Sequence, residues 1–321
     1  EAHGLIELVS HLPRLYRILW NMRDIMKKER PDALILIDYP GFNLKLASYA
    51  KQKGIPVVFF NSPQIWAWRK ERLKTIKRVV DKMIVLFPFE ENIYKQAGVD
   101  VTWVGHPLLD QIDNNLESSS FLKHYDIRSD KPTLAIAPGS RPSEIRRHLP
   151  ILIKSIPLIR EQIGEMNCIM PLAESIEKNE IKKIIESSTV QITLIKEKFF
   201  ETIQACDAAI VASGTASLQT GLALKPFAIF YKVSPITFII AKYLADTNFI
   251  GIVNILAERK IVPELLQNDF NAKKVAEISV QLLQDKIYRE RMIVELEKTR
   301  KKLGEPGAYK KAALCIKSML N

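Results

Sequence analysis

Short, continuous apolar runs punctuate the chain. Ala33-Leu34-Ile35-Leu36-Ile37, Val57-Val58-Phe59-Phe60, Met83-Ile84-Val85-Leu86 and Val101-Thr102-Trp103-Val104 fall in its first third. Such runs, apolar without alternation, predict strands buried on both faces. Amphipathic stretches lie between them, Phe42 to Lys53 and Glu90 to Ala97 among them. Strand, helix and strand in series predict a parallel sheet with helices on both faces. The pattern breaks at Asp113-Asn114-Asn115-Leu116-Glu117-Ser118-Ser119-Ser120, a polar stretch that reads as a linker. It restarts with five more strand candidates, at Thr133–Ala137, Asn167–Met170, Val190–Leu194, Ala208–Val211 and Phe227–Phe230. From Asn271 onward the pattern is helical and highly charged. The expected fold class is α/β with two parallel-sheet lobes. Their expected bounds are residues 1–120 and 121–300, followed by a helical tail over 301–321.

Composition fits that picture. A chain of 321 residues accommodates two domains. Its 47% hydrophobic and 26% charged content is that of a globular protein with a sizeable core. Cys168, Cys206 and Cys315 are widely spaced and form no CxxC pair. They therefore predict buried, reduced thiols rather than a disulfide framework or a zinc site. No apolar run reaches the roughly 20 residues of a membrane span, and the start shows no signal-peptide pattern. The net charge of +11 changes the picture more. It predicts attraction to anions, whether nucleic acid, phosphorylated substrates or an anionic membrane surface, with a plain surplus of surface lysines as the alternative. No nucleic-acid-binding motif accompanies it, so no nucleic-acid partner is expected.

In open parallel sheets, ligands gather at the carboxyl ends of strands. Candidate chemistry is therefore sought just after each apolar run. Pro138-Gly139-Ser140-Arg141-Pro142-Ser143-Glu144 follows one. Gly139 permits close backbone approach, Ser140 offers a hydroxyl, and Arg141 offers a bidentate fork for phosphate. Ser143 is a candidate cap for a following helix whose first amides favour an anion. Ala212-Ser213-Gly214-Thr215-Ala216 follows another run and opens a second helix, placing amides and hydroxyls for a diphosphate. A plain turn and cap would explain either loop alone; two in one lobe favour a nucleotide site. Neither matches the P-loop or the GxGxxG fingerprint. In the first lobe, Asp38 directly follows Ile37 and is placed for general-base work, though an isolated Asp there would more simply cap or stiffen the turn. His106, in Gly105-His106-Pro107, reads as a satisfied turn histidine. The loop Ser62-Pro63-Gln64-Ile65-Trp66-Ala67-Trp68-Arg69 carries two tryptophans that must pack inside or meet an apolar ligand. Arg72, Lys74, Lys77 and Arg78 follow it, a run that suits either solvent or acidic headgroups.

Taken together and in this order, these loops resemble the lipid-A-disaccharide synthase family, inverting glycosyltransferases of the GT-B fold. Asn254 in Ile252-Val253-Asn254-Ile255-Leu256-Ala257, and Pro263-Glu264-Leu265-Leu266-Gln267, extend the match over nearly the whole chain. The resemblance implies two Rossmann-like lobes with a cleft between them. It implies that UDP-2,3-diacylglucosamine donates its sugar to 2,3-diacylglucosamine 1-phosphate, giving the lipid A disaccharide phosphate and UDP. Asp38 is then the base, with Arg141 and Asn254 as its catalytic companions. Gly139, Ser140, Ser213, Gly214, Thr215, Gln219 and Lys232 are expected around the UDP moiety, with no metal and no cofactor. Ile65, Trp66, Trp68 and Arg69 are expected to meet acyl chains or the membrane. The implied location is cytoplasmic and peripheral at the inner membrane, and the implied assembly a homodimer. Two residues depart from the family pattern: Gln219 stands where Glu is usual, and Lys232 where Arg is. The pattern also begins with a further strand and a glycine-rich loop that this sequence does not show, so the first lobe is expected to be incomplete at its start. Another UDP-sugar transferase, a UDP-sugar epimerase, or an inactive membrane-associated remnant stay open as alternatives.

Overall fold

A computed structural model describes residues 2–63, 65–66, 71–112, 116–186, 188–234 and 249–320, with side chains from residue 13 onward. The chain divides into two compact units. One runs up to Asp110 and resumes at Leu303; the other takes in Gln111–Val233 and continues to Lys302.

The first unit is built on four parallel strands in the order β1-β2-β3-β4. They are β1 (Leu34–Ile37), β2 (Val57–Phe60), β3 (Lys82–Val85) and β4 (Val101–Trp103). Val57, Val58, Phe59, Met83, Ile84 and Val85 are almost wholly buried, as continuous apolar runs require. The edge strand β1 differs: Ile35 and Ile37 are exposed and Leu36 alone is fully covered. Helix α1 (Ala2–Glu29) buries Leu19 and Met26 in the core of this unit. Helix α2 (Pro40–Gln52) begins with proline at its first position, where the missing amide costs nothing. Its Leu44, Ala47 and Ala50 close over the sheet.

The C-terminal segment, read from sequence as a charged tail, packs within this first unit. His106 N–H donates to the Leu303 carbonyl (3.1 Å). Gly304 lies so close to the Trp103 ring that an added Cβ would touch it at 3.2 Å. The Phe60 and Tyr309 rings stack 6.1 Å apart, bringing the helix Ala308–Leu320 against the sheet.

The second unit has six parallel strands in the order β10-β9-β8-β5-β6-β7. These are β5 (Thr133–Ala137), β6 (Asn167–Leu172), β7 (Thr193–Lys196), β8 (Ala208–Ala212), β9 (Phe227–Tyr231) and β10 (Glu264–Leu266). The chain moves outward from β5 through β6 to β7, then returns to the other side of β5 and moves outward again. The crevice between β5 and β8 is therefore the topological switch point, where open sheets receive ligands. Helix α6 (Pro142–Ile163) lays one stripe on the sheet: Ile145, Leu149, Leu152, Ile156 and Ile159 are all buried at helical spacing. Strand β7 begins three residues after its predicted start, and β10 was not anticipated.

Cys168 and Cys206 are buried in this unit, and burial pushes both thiols up to about 12. No helix among the described residues is long and apolar enough to cross a membrane.

Candidate active site

The two glycine-bearing loops of the second unit come together at the switch point. One follows β5 and the other follows β8, adjacent parallel strands paired Ala137 to Val211. Between them opens a cavity of about 480 Å³. Gly139, Ser140 and Arg141 line one side; Ser213, Gly214 and Thr215 line the other, with Gln219 beyond them. Seven of the residues singled out by sequence therefore share one cavity.

The loops owe their shape to backbone that only glycine adopts easily. Gly139 has φ 128° and Gly214 φ 139°, a region open to glycine alone at little cost. At Gly139 an added Cβ would also run into the Glu144 side chain. Gly214 is the N-cap of α9 (Thr215–Leu222). The first amides of that helix, at Thr215 and Ala216, have no intrahelical acceptor, and both residues line the cavity. They form a donor pair for an anion, reinforced by the helix dipole.

At the first loop the structure corrects the expected capping. Helix α6 already begins at Pro142, so Ser143 lies inside its first turn and is not the cap. Glu144 does that work: one carboxylate oxygen accepts the amides of Ser140 (3.1 Å) and Arg141 (3.3 Å). These two amides already hold an internal anion, so a ligand on this side would meet the Ser140 hydroxyl and the Arg141 guanidinium in their place. Arg141 extends with its side chain 77% exposed, 3.6 Å from the other Glu144 oxygen.

Asn254 lies beside Val262 and Glu264. It is fully buried and every hydrogen-bonding atom of its side chain is engaged. Its Oδ1 accepts the amides of Ile261 and Val262, while Nδ2 donates to the Val262 carbonyl and to Glu264 Oε1 (2.8 Å). It does not line the cavity. Glu264 in turn accepts the amides of Ile250 and Gly251, and Ser213 Oγ donates to the Ile250 carbonyl. Asn254 thus supports the Ser213 loop through a chain of hydrogen bonds. Lys232 also contributes a backbone carbonyl, accepting from His148, rather than a side chain on the cavity wall.

Sequence reasoning passed over Glu197, Phe199 and Tyr231, which also line the cavity. Glu197 and Phe199 follow β7 and Tyr231 is the last residue of β9, so the carboxyl-end rule reaches them. Glu197, at φ 58°, gives no sign of its backbone in its residue type.

In the first unit, Asp38 sits just past β1 with φ 52°, and Tyr39 follows with φ 42°. Consecutive non-glycine residues in this region are strained. Asn43 holds them, donating from Nδ2 to the carbonyls of Ile37 (3.0 Å) and Asp38 (2.6 Å). The Trp loop is anchored differently. Glu90, only 2% exposed, accepts the Ser62 hydroxyl (2.6 Å) and the Trp66 indole N–H (3.2 Å), and the Phe87 amide (3.2 Å) on its other oxygen. Burial pushes its carboxyl up to about 7 against the pull of these hydrogen bonds. Trp66 packs edge-on against Phe89. Ile65 is 2% exposed and belongs to the core, so it offers no surface to an acyl chain or a membrane. Trp68 and Arg69 lie outside the described residues. Burial lowers His106 to about 4, and its Nδ1 accepts the Leu108 amide, the arrangement of a neutral turn histidine.

Among the described residues no three His, Cys, Asp or Glu side chains converge as metal ligands would. Comparison with known proteins matches residues 1–319 to the family model described as lipid-A-disaccharide synthetase. The lipid-A-disaccharide synthase of Syntrophus aciditrophicus is 39% identical over 318 residues, covering 99% of this chain and 83% of that protein. Lipid-A-disaccharide synthase 1 of Legionella pneumophila (strain Paris) is 38% identical over 306 residues, covering 95% and 80%. Among solved structures, the S. aureus MnaA–UDP co-structure aligns with a TM-score of 0.66 at 13% identity, covering 96% of this chain and 81% of that one. The calicheamicin glycosyltransferase aligns with a TM-score of 0.60 at 13% identity, covering 99% and 80%. These likenesses speak to the fold, two Rossmann-like lobes of GT-B type; the sequence matches speak to the activity class, a glycosyltransferase of lipid A biosynthesis. The chain belongs to the lipid-A-disaccharide synthetase family.

Proposed function

We propose that this chain condenses UDP-2,3-diacylglucosamine with 2,3-diacylglucosamine 1-phosphate, inverting the donor's anomeric carbon. The observation that carries this reading is the cavity at the β5/β8 switch point, with Arg141, Ser213 and the first amides of α9 around it. Its size and its donors suit a nucleoside diphosphate. Phe199 and Tyr231 add aromatic surface for a base, and Gln219 offers one carbonyl acceptor to a ribose hydroxyl.

Asp38 takes the proton of the acceptor 6-hydroxyl. The oxygen forms a bond to the anomeric carbon from the face opposite UDP. The bond from that carbon to the β-phosphate oxygen breaks, and its electron pair leaves with UDP. Arg141, the Ser213 and Thr215 hydroxyls and the α9 amides stabilise the charge that develops on the diphosphate. This needs no metal, since fixed donors meet the anion. An acidic membrane surface is the proposed setting: Trp20 is 60% exposed on α1, and Lys74, Lys77 and Arg78 are exposed on α3 (Arg72–Val79).

The test is UDP release by purified protein with and without the acylated acceptor. Release that depends on acceptor, with a β-1′,6-linked disaccharide as product, is expected. Acceptor-independent release accompanied by a C2-epimerised sugar overturns the reading in favour of an epimerase.

A further inference from the structure

His148 has no part in the chemistry above, yet it sits directly behind the cavity. It lies on α6, 1% exposed, on the face turned toward the sheet. Its Nδ1 is 2.7 Å from the carbonyl oxygen of Pro138, and its Nε2 is 3.0 Å from that of Lys232. Each oxygen is only an acceptor, so each ring nitrogen must carry a hydrogen. A neutral imidazole has one N–H and one lone pair, and its lone pair would face a carbonyl oxygen. The cation alone satisfies both contacts. The ring is also held on its flanks: Phe230 and Phe270 meet it edge to face at 5.1 and 5.7 Å, and they stack on each other at 4.2 Å.

The two carbonyls belong to the two loops that end β5 and β9. Pro138 immediately precedes Gly139-Ser140-Arg141, and Lys232 immediately follows Tyr231, which lines the cavity. Four residues before His148, Glu144 grips the amides of Ser140 and Arg141. Helix α6 therefore holds its own preceding loop at both ends: by the carbonyl through His148 and by the amides through Glu144. Arg147 joins the brace, its guanidinium donating to the same Lys232 oxygen (3.4 Å).

We propose that His148, held as an imidazolium, is a positioning residue of the diphosphate site. It braces the Pro138 and Lys232 carbonyls together and fixes a buried positive charge behind the loop that meets the phosphates. The inference rests on the reading of this cavity as a diphosphate site, but its two parts separate experimentally.

The first measurement is a long-range ¹H–¹⁵N spectrum of the wild-type protein near neutral pH, with the His148 ring assigned through its contacts with Phe230 and Phe270. The imidazolium gives two N–H-type nitrogens; a neutral ring gives one far-shifted lone-pair nitrogen and overturns the proposal. The second compares UDP with uridine, which lacks the phosphates, on wild type and His148→Gln. Glutamine reaches at most one carbonyl and brings no charge. UDP affinity is expected to fall about tenfold, as for loss of a charge-assisted contact, with uridine affinity changed less than about twofold. Equal loss for both ligands overturns the role toward the diphosphate. If wild type binds no UDP, the functional reading fails while the ring spectrum still decides the brace; a variant that does not fold leaves that spectrum decisive too.

Discussion

Glu90 makes the stability of the first unit depend on pH in an unusual direction. Its carboxyl is buried beneath the Trp loop, and burial raises it from 4.5 to about 7. An acid raised in the folded state binds its proton more tightly there than in the unfolded chain. The stability it contributes is therefore fully present below about 4.5 and is lost as pH rises through about 7. The difference corresponds to about 3 kcal/mol. Glu90→Gln removes this titration. It also sets an amide N–H₂ where one carboxylate oxygen accepts the Phe87 amide, a loss of about 1–2 kcal/mol that does not vary with pH. His106 works in the opposite sense. Burial lowers it to about 4, so its contribution is present above 6.5 and lost as pH falls through about 4. That term is common to both proteins and cancels in their difference. The assay is urea unfolding followed by tryptophan fluorescence across this pH range. All four tryptophans, at positions 20, 66, 68 and 103, precede the second unit in the chain, so the signal reports the first unit alone. Wild type should lose about 3 kcal/mol relative to the variant between about pH 4 and pH 8. Parallel curves over that range would refute the assignment of a raised carboxyl to Glu90.

Three further outcomes are expected. Asp38→Asn should lower turnover by about 10² to 10⁴ while UDP affinity stays within about twofold; near-normal turnover removes Asp38 as the base. Arg141→Ala should weaken UDP binding about tenfold by calorimetry, and unchanged affinity places Arg141 outside the diphosphate contact. Native protein treated with a thiol reagent should modify Cys315 first. Rapid reaction at Cys168 or Cys206, whose burial raises them to about 12, would contradict their placement in the core.

Much of the fold was legible because its strands are buried on both faces and so read as unbroken apolar runs. The exceptions have physical causes. Strand β10 is three residues long and contains Glu264, whose charge is satisfied by the Ile250 and Gly251 amides and by Asn254. No local pattern announces a strand that depends on such partners. In β7, Thr193 and Leu194 are only half-buried, so the apolar signal slides along the chain. The cavity was legible for the opposite reason: its loops carry glycine at strand ends, where backbone conformation shows in the residue type. The motif finds Asn254 but not its partners Ile261, Val262 and Glu264, since a motif gives position along the chain and not the direction of a side chain. His148 was invisible, because one of its two partners lies 84 residues away.

The return of the chain at Leu303 has a consequence for synthesis. Trp103 and the turn at Gly105-His106 gain their packing from Leu303 and Gly304, residues made after the whole second unit has been translated. Domains commonly fold in the order in which they emerge from the ribosome. Here the second unit has all its strands before the first has its closing helix. The first unit to be translated is then the last to be finished, and a stop codon near residue 303 removes the closing segment of the unit whose strands were made first.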